Sequence, residues 1–152
     1  MNITIITVGE IKEQFFVDDI KEYGNRLGQY CDLNEIEVAE EEVRENCSQG
    51  DLLRAKDQEA KRILSEISDQ MYVIVLRGDG YQLSSDELAM NLENLEKRGR
   101  KDVAFVIGGS LGLSDMVMMR ADFVLSISKM TLHHHLMKVV LMEQLMGSLG
   151  AQ

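Results

Sequence analysis

Two loops in the C-terminal third of the chain carry the residues best suited to bind a ligand. The apolar run Val103 to Ile107 ends at Gly108-Gly109-Ser110-Leu111-Gly112, and the run Phe123 to Ile127 ends at Ser128-Lys129-Met130-Thr131. In open α/β folds, ligands bind beyond the carboxyl ends of the strands. The two loops therefore predict a small-molecule site at one edge of a sheet.

The glycine loop does not carry a phosphate-binding motif. It lacks the Lys-Ser/Thr ending of a P-loop and the GxGxxG spacing of a dinucleotide fold. Its glycines would let the backbone approach a ligand closely. The alternative is that Gly108 and Gly109 only turn the chain from a strand into a helix.

Three consecutive histidines, His133, His134 and His135, follow the second loop. Helical metal pairs are usually four residues apart, and no cysteine or carboxylate adjoins these histidines in the sequence, so the pattern does not favour a metal site. Near the start of a helix the dipole favours a neutral imidazole. One histidine could therefore contact a ligand or act as a base.

Strands alternating with helices predict an α/β fold with a mostly parallel sheet flanked by helices, in a single domain over residues 1–152. Expected strands lie near residues 3–8, 36–38, 71–76, 103–107 and 123–127. Expected helices lie near residues 12–29, after Ser48, from a capping box at Ser84 and Glu87 to Gly99, after Ser114, and over residues 131–146. The second helix should bury one face, formed by Leu53, Ala60, Ile63, Leu64 and Ile67.

The last helix is apolar nearly all round. Between Leu136 and Met146 only Lys138, Glu143 and Gln144 are polar. Such a helix must be buried on more than one side, so we expect a homodimer through the C-terminal helix. The alternative is burial within one chain.

Charge and composition limit the classes of partner. The net charge is −10, and the excess of acidic residues lies in the first hundred residues, which argues against unaided nucleic-acid binding. The one basic cluster, Lys97-Arg98-Gly99-Arg100-Lys101, is either a helix C-terminal charge cluster or an RNA-binding patch. Two cysteines without CxxC spacing, no leader-like N-terminus and no membrane-length apolar run predict a cytoplasmic protein that does not enter a membrane.

Four separated blocks resemble one known family. They are MNITIITVGEIKE, YVIVLRGDGYQLSSDELA, FVIGGSLGLSD and LSISKMTLHHHLMKVVLMEQ. Together, and in this order, they are similar to the ribosomal RNA large subunit methyltransferase H family of the SPOUT class. The resemblance runs from Met1 to about Gln144.

The resemblance implies a C-terminal trefoil knot, a homodimer and an S-adenosyl-L-methionine cofactor held in the knot loops. It also implies methylation of N3 of a pseudouridine in 23S rRNA on the ribosome. The cofactor contacts that it implies, by matching positions, are Leu76, Gly108, Ile127, Ser128, Lys129, Met130, Thr131 and Leu132. His134 matches the family histidine and is the candidate catalytic residue.

Some positions depart from the family pattern. His133 replaces a proline, Arg77 replaces an acidic residue and Tyr81 replaces a basic one. The resemblance also implies a tail with an Arg-Gly pair and a Tyr-His pair, to which nothing after Met146 corresponds. The alternative is therefore a non-catalytic paralogue that keeps the dimer and the cofactor pocket. A nucleotide-binding domain of flavodoxin type is a third possibility, disfavoured because no phosphate motif is present.

Overall fold

A computed structural model describes residues 1–150 as a five-stranded sheet with helices on both faces. The strands are β1 (Asn2–Val8), β2 (Asp32–Val38), β3 (Tyr72–Gln82), β4 (Asp102–Ile107) and β5 (Phe123–Ser126). The helices are α1 (Gln14–Leu27), α2 (Gln49–Leu64), α3 (Ser85–Lys97), α4 (Asp115–Arg120) and α5 (His134–Gly150). Ala151 and Gln152, the end of the segment compared with the family tail, lie outside the described residues.

All neighbouring strands pair in parallel, in the order β2-β1-β4-β3-β5. This confirms the predicted α/β class. The three central strands are nearly continuous apolar runs because helices cover both faces of the sheet. One core cluster joins the sheet to α1, α3 and α5, and the other joins it to α2 and α4. The trefoil knot remains a prediction.

Capping residues in the sequence predicted several helix ends correctly. Ser84 and Glu87 form the predicted capping box, and the Ser114 side chain caps α4. At the end of α3, Gly99 has φ +80°, and Arg100 donates its N–H to the Leu95 carbonyl at 2.9 Å. This Schellman geometry confirms that the basic cluster surrounds a helix C-cap.

Three expectations need correction. Leu53 is 57% exposed and does not belong to the buried face of α2, and Ile67 lies beyond the end of that helix. The strand expected to end at Leu76 continues to Gln82, because it crosses a register shift and then pairs again with β5. The last helix begins at His134 rather than Thr131, since His133 caps it.

α5 packs between α1 and α3, which bury a large part of its apolar surface within the chain. Lys138 is buried with it and forms an ion pair with Glu35 of β2 at 2.8 Å. The burial of α5 therefore has an intramolecular explanation, and the homodimer remains a prediction. No helix among residues 1–150 is long and apolar enough to cross a membrane.

Candidate functional site

The register of three neighbouring strands brings the candidate cofactor residues to one edge of the sheet. Leu76 of β3 pairs with Ile107 of β4 on one side and with Leu125 of β5 on the other. Gly108 directly follows β4, and Ile127 follows β5. The glycine loop and residues 127–132 therefore leave the sheet beside Leu76, as the sequence predicted.

The glycine loop is folded tightly on itself. A Cβ atom on Gly108 would lie 2.8 Å from Cγ of Leu113, and one on Gly109 would lie 3.1 Å from Cγ1 of Val8. Gly112 has φ +83° and donates its N–H to the Gly109 carbonyl at 3.1 Å. A side chain at Gly108 or Gly109 would press on Leu113 or Val8, and one at Gly112 would be strained by the positive φ. The fold of the loop is therefore enough to explain these glycines.

A serine that sequence reasoning missed holds the second loop in place. The buried Ser126 hydroxyl lies 3.1 Å from the Gly78 carbonyl oxygen and 3.0 Å from the Ser128 carbonyl oxygen. It thus joins the extended end of β3 to the loop after β5. Its position at the end of an apolar strand, just before the loop, was the available signal.

The loop after β5 presents both covered and open groups. Ile127, Ser128 and Leu132 are partly buried, whereas Lys129, Met130 and Thr131 are exposed. The Met130 N–H donates to the Ser128 hydroxyl oxygen at 3.0 Å. Lys129 is the one cationic residue in this loop, so the loop suits a ligand held by backbone and apolar contacts rather than by a phosphate cradle.

An ion pair stands directly after Leu76. Arg77 donates two hydrogen bonds to the Asp79 carboxylate, at 2.6 and 2.7 Å. The bonds raise the pKa of Arg77 and lower the pKa of Asp79, so both groups are charged at neutral pH. Because Asp79 neutralises Arg77 at short range, the departure from the family pattern at position 77 adds little net charge to this edge.

The three histidine rings lie together, which their spacing did not predict. The ring centroids are 4.2 to 4.8 Å apart, and one ring nitrogen from each lies within 4.8 Å of the others. His133 Nδ1 accepts the backbone N–H of His135 at 3.2 Å and thereby caps α5. His133 thus begins α5 with a side-chain cap at the position where the resemblance implies a proline.

A carboxylate from the start of α1 completes this cluster. Oε2 of Glu13 lies 3.1 Å from Nδ1 of the buried His135. Glu13 was missed because it is distant in sequence. Its place after β1, whose carboxyl end reaches the same sheet edge, was the only available signal.

His134 is neutral at physiological pH. Burial, followed by the proximity of His135 and His133, lowers its pKa to about 4. A neutral imidazole can accept a hydrogen bond from a proton donor, although at this pKa it is a weak base. The structure thus provides an uncharged acceptor at the predicted catalytic position, and its catalytic role remains a prediction.

The amino-acid sequence of the chain is similar to those of known proteins. A family model described as "Predicted SPOUT methyltransferase" matches residues 1–148. The chain is 50% identical over 145 residues to the ribosomal RNA large subunit methyltransferase H of an Exiguobacterium species, covering 95% of this chain and 91% of that one. It is 48% identical over 148 residues to the protein of the same name from Shouchella clausii, covering 97% and 93%. The corresponding protein of Clostridium botulinum is 46% identical over 145 residues, covering 95% and 91%.

Proposed function

We propose that this protein methylates ribosomal RNA. The chain belongs to the ribosomal RNA large subunit methyltransferase H family of SPOUT methyltransferases. The observation that carries the proposal is the convergence of Leu76, Gly108 and residues 127–132 at one sheet edge. The identity to relatives covers nearly their whole length, which favours a methyltransferase over a non-catalytic paralogue.

The chemistry of the loop residues fits S-adenosyl-L-methionine. This cofactor has no phosphate, and the loops offer no phosphate motif. Leu76, Ile127 and Leu132 would provide apolar contacts, and Ser128 and Thr131 would provide hydroxyl groups. When bound, S-adenosyl-L-methionine supplies an electrophilic methyl group on a sulfonium sulfur.

The residues of the chain would contribute mainly by positioning. Transfer to a nitrogen requires the nitrogen lone pair to face the methyl group in line with the bond that breaks, and correct placement lowers the barrier substantially. A nitrogen such as N3 of pseudouridine must also lose its proton. We assign the acceptance of that proton, as the nitrogen gains the methyl group, to the neutral imidazole of His134, which would then release it to water because its pKa is low.

The substrate assignment follows from the relatives. Their names specify rRNA of the large subunit. We propose N3 of a pseudouridine in 23S rRNA as the target, with the assembled ribosome as the substrate and the cytoplasm as the location. An acidic chain would rely on the shape of the ribosome and on localised basic groups to bind it.

We also propose a homodimer through α5. On the outer side of this helix Glu143 and Gly147 are exposed, and a Cβ on Gly147 would have no atom within 4 Å. The flanking helix α3 exposes the apolar side chain of Met90, at 62%, in the same surface depression as Glu143 and Gly147. Gly147→Arg should therefore convert a dimer into a monomer in sedimentation equilibrium, and a monomeric wild type at micromolar concentration would refute this assignment.

The test of the proposed function measures cofactor binding first and methyl transfer second. Calorimetry with S-adenosyl-L-methionine should show binding to the wild type and at least tenfold weaker binding to Gly108→Val, whose side chain would collide with Leu113. Gly50→Ala, in α2, where an added Cβ would meet no atom closer than 3.6 Å, is the matched control and should bind like the wild type. Absence of binding to the wild type would refute the proposal. Binding without methyl incorporation into ribosomes lacking the modification would support the non-catalytic paralogue instead.

A further inference from the structure

The basic cluster at the end of α3 leaves most of its charge free. Lys97 pairs with Glu93 at 3.0 Å. Arg98, Arg100 and Lys101 are exposed, and none of them forms an ion pair with another residue in the range 1–150. The Schellman turn accounts for Gly99 but does not use these three side chains. Three unneutralised cations in one turn stand out on a chain with a net charge of −10.

A cavity of about 490 Å³ opens beside this cluster, between α3 and β5. Its floor is apolar, since it consists of core side chains. These are Ile74, Leu92, Leu95 and Leu125, each at most 4% exposed. Asn91 and Asn94 of α3 add amide groups to the rim, next to Lys97 and Arg98.

Aromatic rings form part of the same cavity. Tyr72 and Phe123 line it and are partly exposed. The Arg100 guanidinium lies 5.6 Å from the centre of the Tyr72 ring. Tyr81, 72% exposed, stacks against Phe123 with ring centres 5.7 Å apart and extends the aromatic surface outward. Aromatic faces next to cations are the combination with which proteins bind unpaired nucleotides.

The cavity leads toward the candidate cofactor loop. A smaller cavity of about 40 Å³ shares Leu83, Leu88 and Leu125 with it and is also lined by Ile127. The basic cluster lies at the amino end of β4 and Ile127 follows the carboxyl end of β5, so the two cavities run along the sheet from one end to the other.

We propose that the groove between α3 and β5 binds a single-stranded segment of the substrate rRNA outside the methyl-transfer site. Tyr72 and Phe123 would stack on a base, the two asparagine amides would hydrogen-bond its edge, and Arg98, Arg100 and Lys101 would contact phosphates. This inference rests on the proposed function, and the cluster offers positive charge for RNA on a chain whose net charge is −10. A second copy of the chain is a poorer occupant, because three unpaired cations would have to be desolvated at its interface.

Charge removal tests the phosphate contacts. The triple variant Arg98→Gln/Arg100→Gln/Lys101→Gln should bind ribosomes lacking the modification at least tenfold more weakly at about 0.1 M salt. The slope of log affinity against log salt should fall by about 2, the value for three phosphates of a single strand. The matched control Arg26→Gln/Arg44→Gln/Lys61→Gln removes the same charge from exposed positions elsewhere and should leave affinity within twofold.

Removal of the aromatic face tests the base contact. Tyr72→Leu keeps an apolar side chain in the wall and should raise KM for ribosomes about tenfold while leaving the Kd for S-adenosyl-L-methionine unchanged. The salt slope of Tyr72→Leu should equal that of the wild type, because no charge is removed.

The outcomes separate this inference from the proposed function. If the wild type methylates ribosomes and the triple variant behaves like its matched control, the groove does not bind RNA. If the triple variant keeps its ribosome affinity but changes its mass in sedimentation equilibrium, the groove is an interface between copies and the inference is overturned. If the wild type binds ribosomes through these residues but transfers no methyl group, the proposed function fails while the binding surface stands.

Discussion

At the scale of single residues, His134 shows how local surroundings set a protonation state. Its side chain is partly buried beside two other imidazoles, and its pKa is lowered to about 4 from an ordinary value near 6.5. The sequence predicted a neutral histidine from the helix dipole. In the structure, burial lowers the pKa most, followed by the neighbouring rings of His135 and His133. The close packing of the three rings could not be predicted from their adjacent positions in the sequence.

The lowered pKa makes stability depend on pH. Because the unfolded state binds the proton more readily, the contribution of neutral His134 is fully present above about pH 6.5 and is lost as the pH falls toward 4. The free energy of unfolding should therefore drop by about 2–3 kcal/mol more in the wild type than in His134→Gln between pH 7 and pH 4. Urea titrations at both pH values measure this difference, and identical pH slopes would contradict it.

At the scale of elements, the join between β3 and β5 positions the site. β3 continues past Leu76 by a register shift, and Gly80 passes so close to β5 that an added Cβ would lie 2.6 Å from the Val124 carbonyl oxygen. The neighbouring atom is backbone, so the strand itself would have to move.

Gly80→Ala should therefore destabilise the protein by about 2 kcal/mol, the usual cost of overpacking. Gly50→Ala, in α2, where an added Cβ would meet no atom closer than 3.6 Å, should instead stabilise it by about 0.5–1 kcal/mol through helix propensity. Chemical unfolding of both variants measures the contrast. Equal effects of the two substitutions would show that the close approach at Gly80 does not constrain β5.

The elements also show where prediction from sequence succeeds. Continuous apolar runs identified the three central strands, and Ser84 with Glu87 identified the start of α3, because burial and capping leave local signatures. The extension of β3 to Gln82 left no such signature, since Arg77 to Gly80 resemble a turn and only Tyr81 and Gln82 pair again with β5. The two candidate loops could be proposed from the sequence because both follow strands. The contacts of Ser126 and Glu13 could not, because they depend on neighbours distant in sequence.

At the scale of the whole molecule, a buried ion pair ties the last helix to the second strand. The Lys138 side chain is 3% exposed, whereas that of Glu35 is 32% exposed. The two charges are therefore not equivalent, because only one can regain water if its partner is removed.

Removal of the Glu35 carboxylate should lower the free energy of unfolding more than removal of the Lys138 amine. We expect Glu35→Gln to destabilise by about 3 kcal/mol because it leaves Lys138 charged and buried, and Lys138→Met by about 1 kcal/mol. The double variant should be close to Lys138→Met alone. A double-mutant cycle from urea unfolding measures these values, and a larger cost for Lys138→Met would contradict the assigned burial of the two groups.

Acidic and basic residues are unevenly distributed over the molecule. The acidic residues are concentrated in the first hundred positions, whereas the two candidate cofactor loops lie in a neutral C-terminal segment. The groove beside Arg98 and Arg100 offers positive charge on the same side of the sheet as α3. This distribution would direct the RNA toward one part of the surface and away from the acidic remainder.

Methyl transfer from labelled S-adenosyl-L-methionine to ribosomes that lack the modification tests the central claim most directly. We expect incorporation into 23S rRNA at a pseudouridine, with His134→Gln slower than the wild type at saturating cofactor. Absence of label in the rRNA, from a folded protein that binds the cofactor, would show that the protein is not an rRNA methyltransferase.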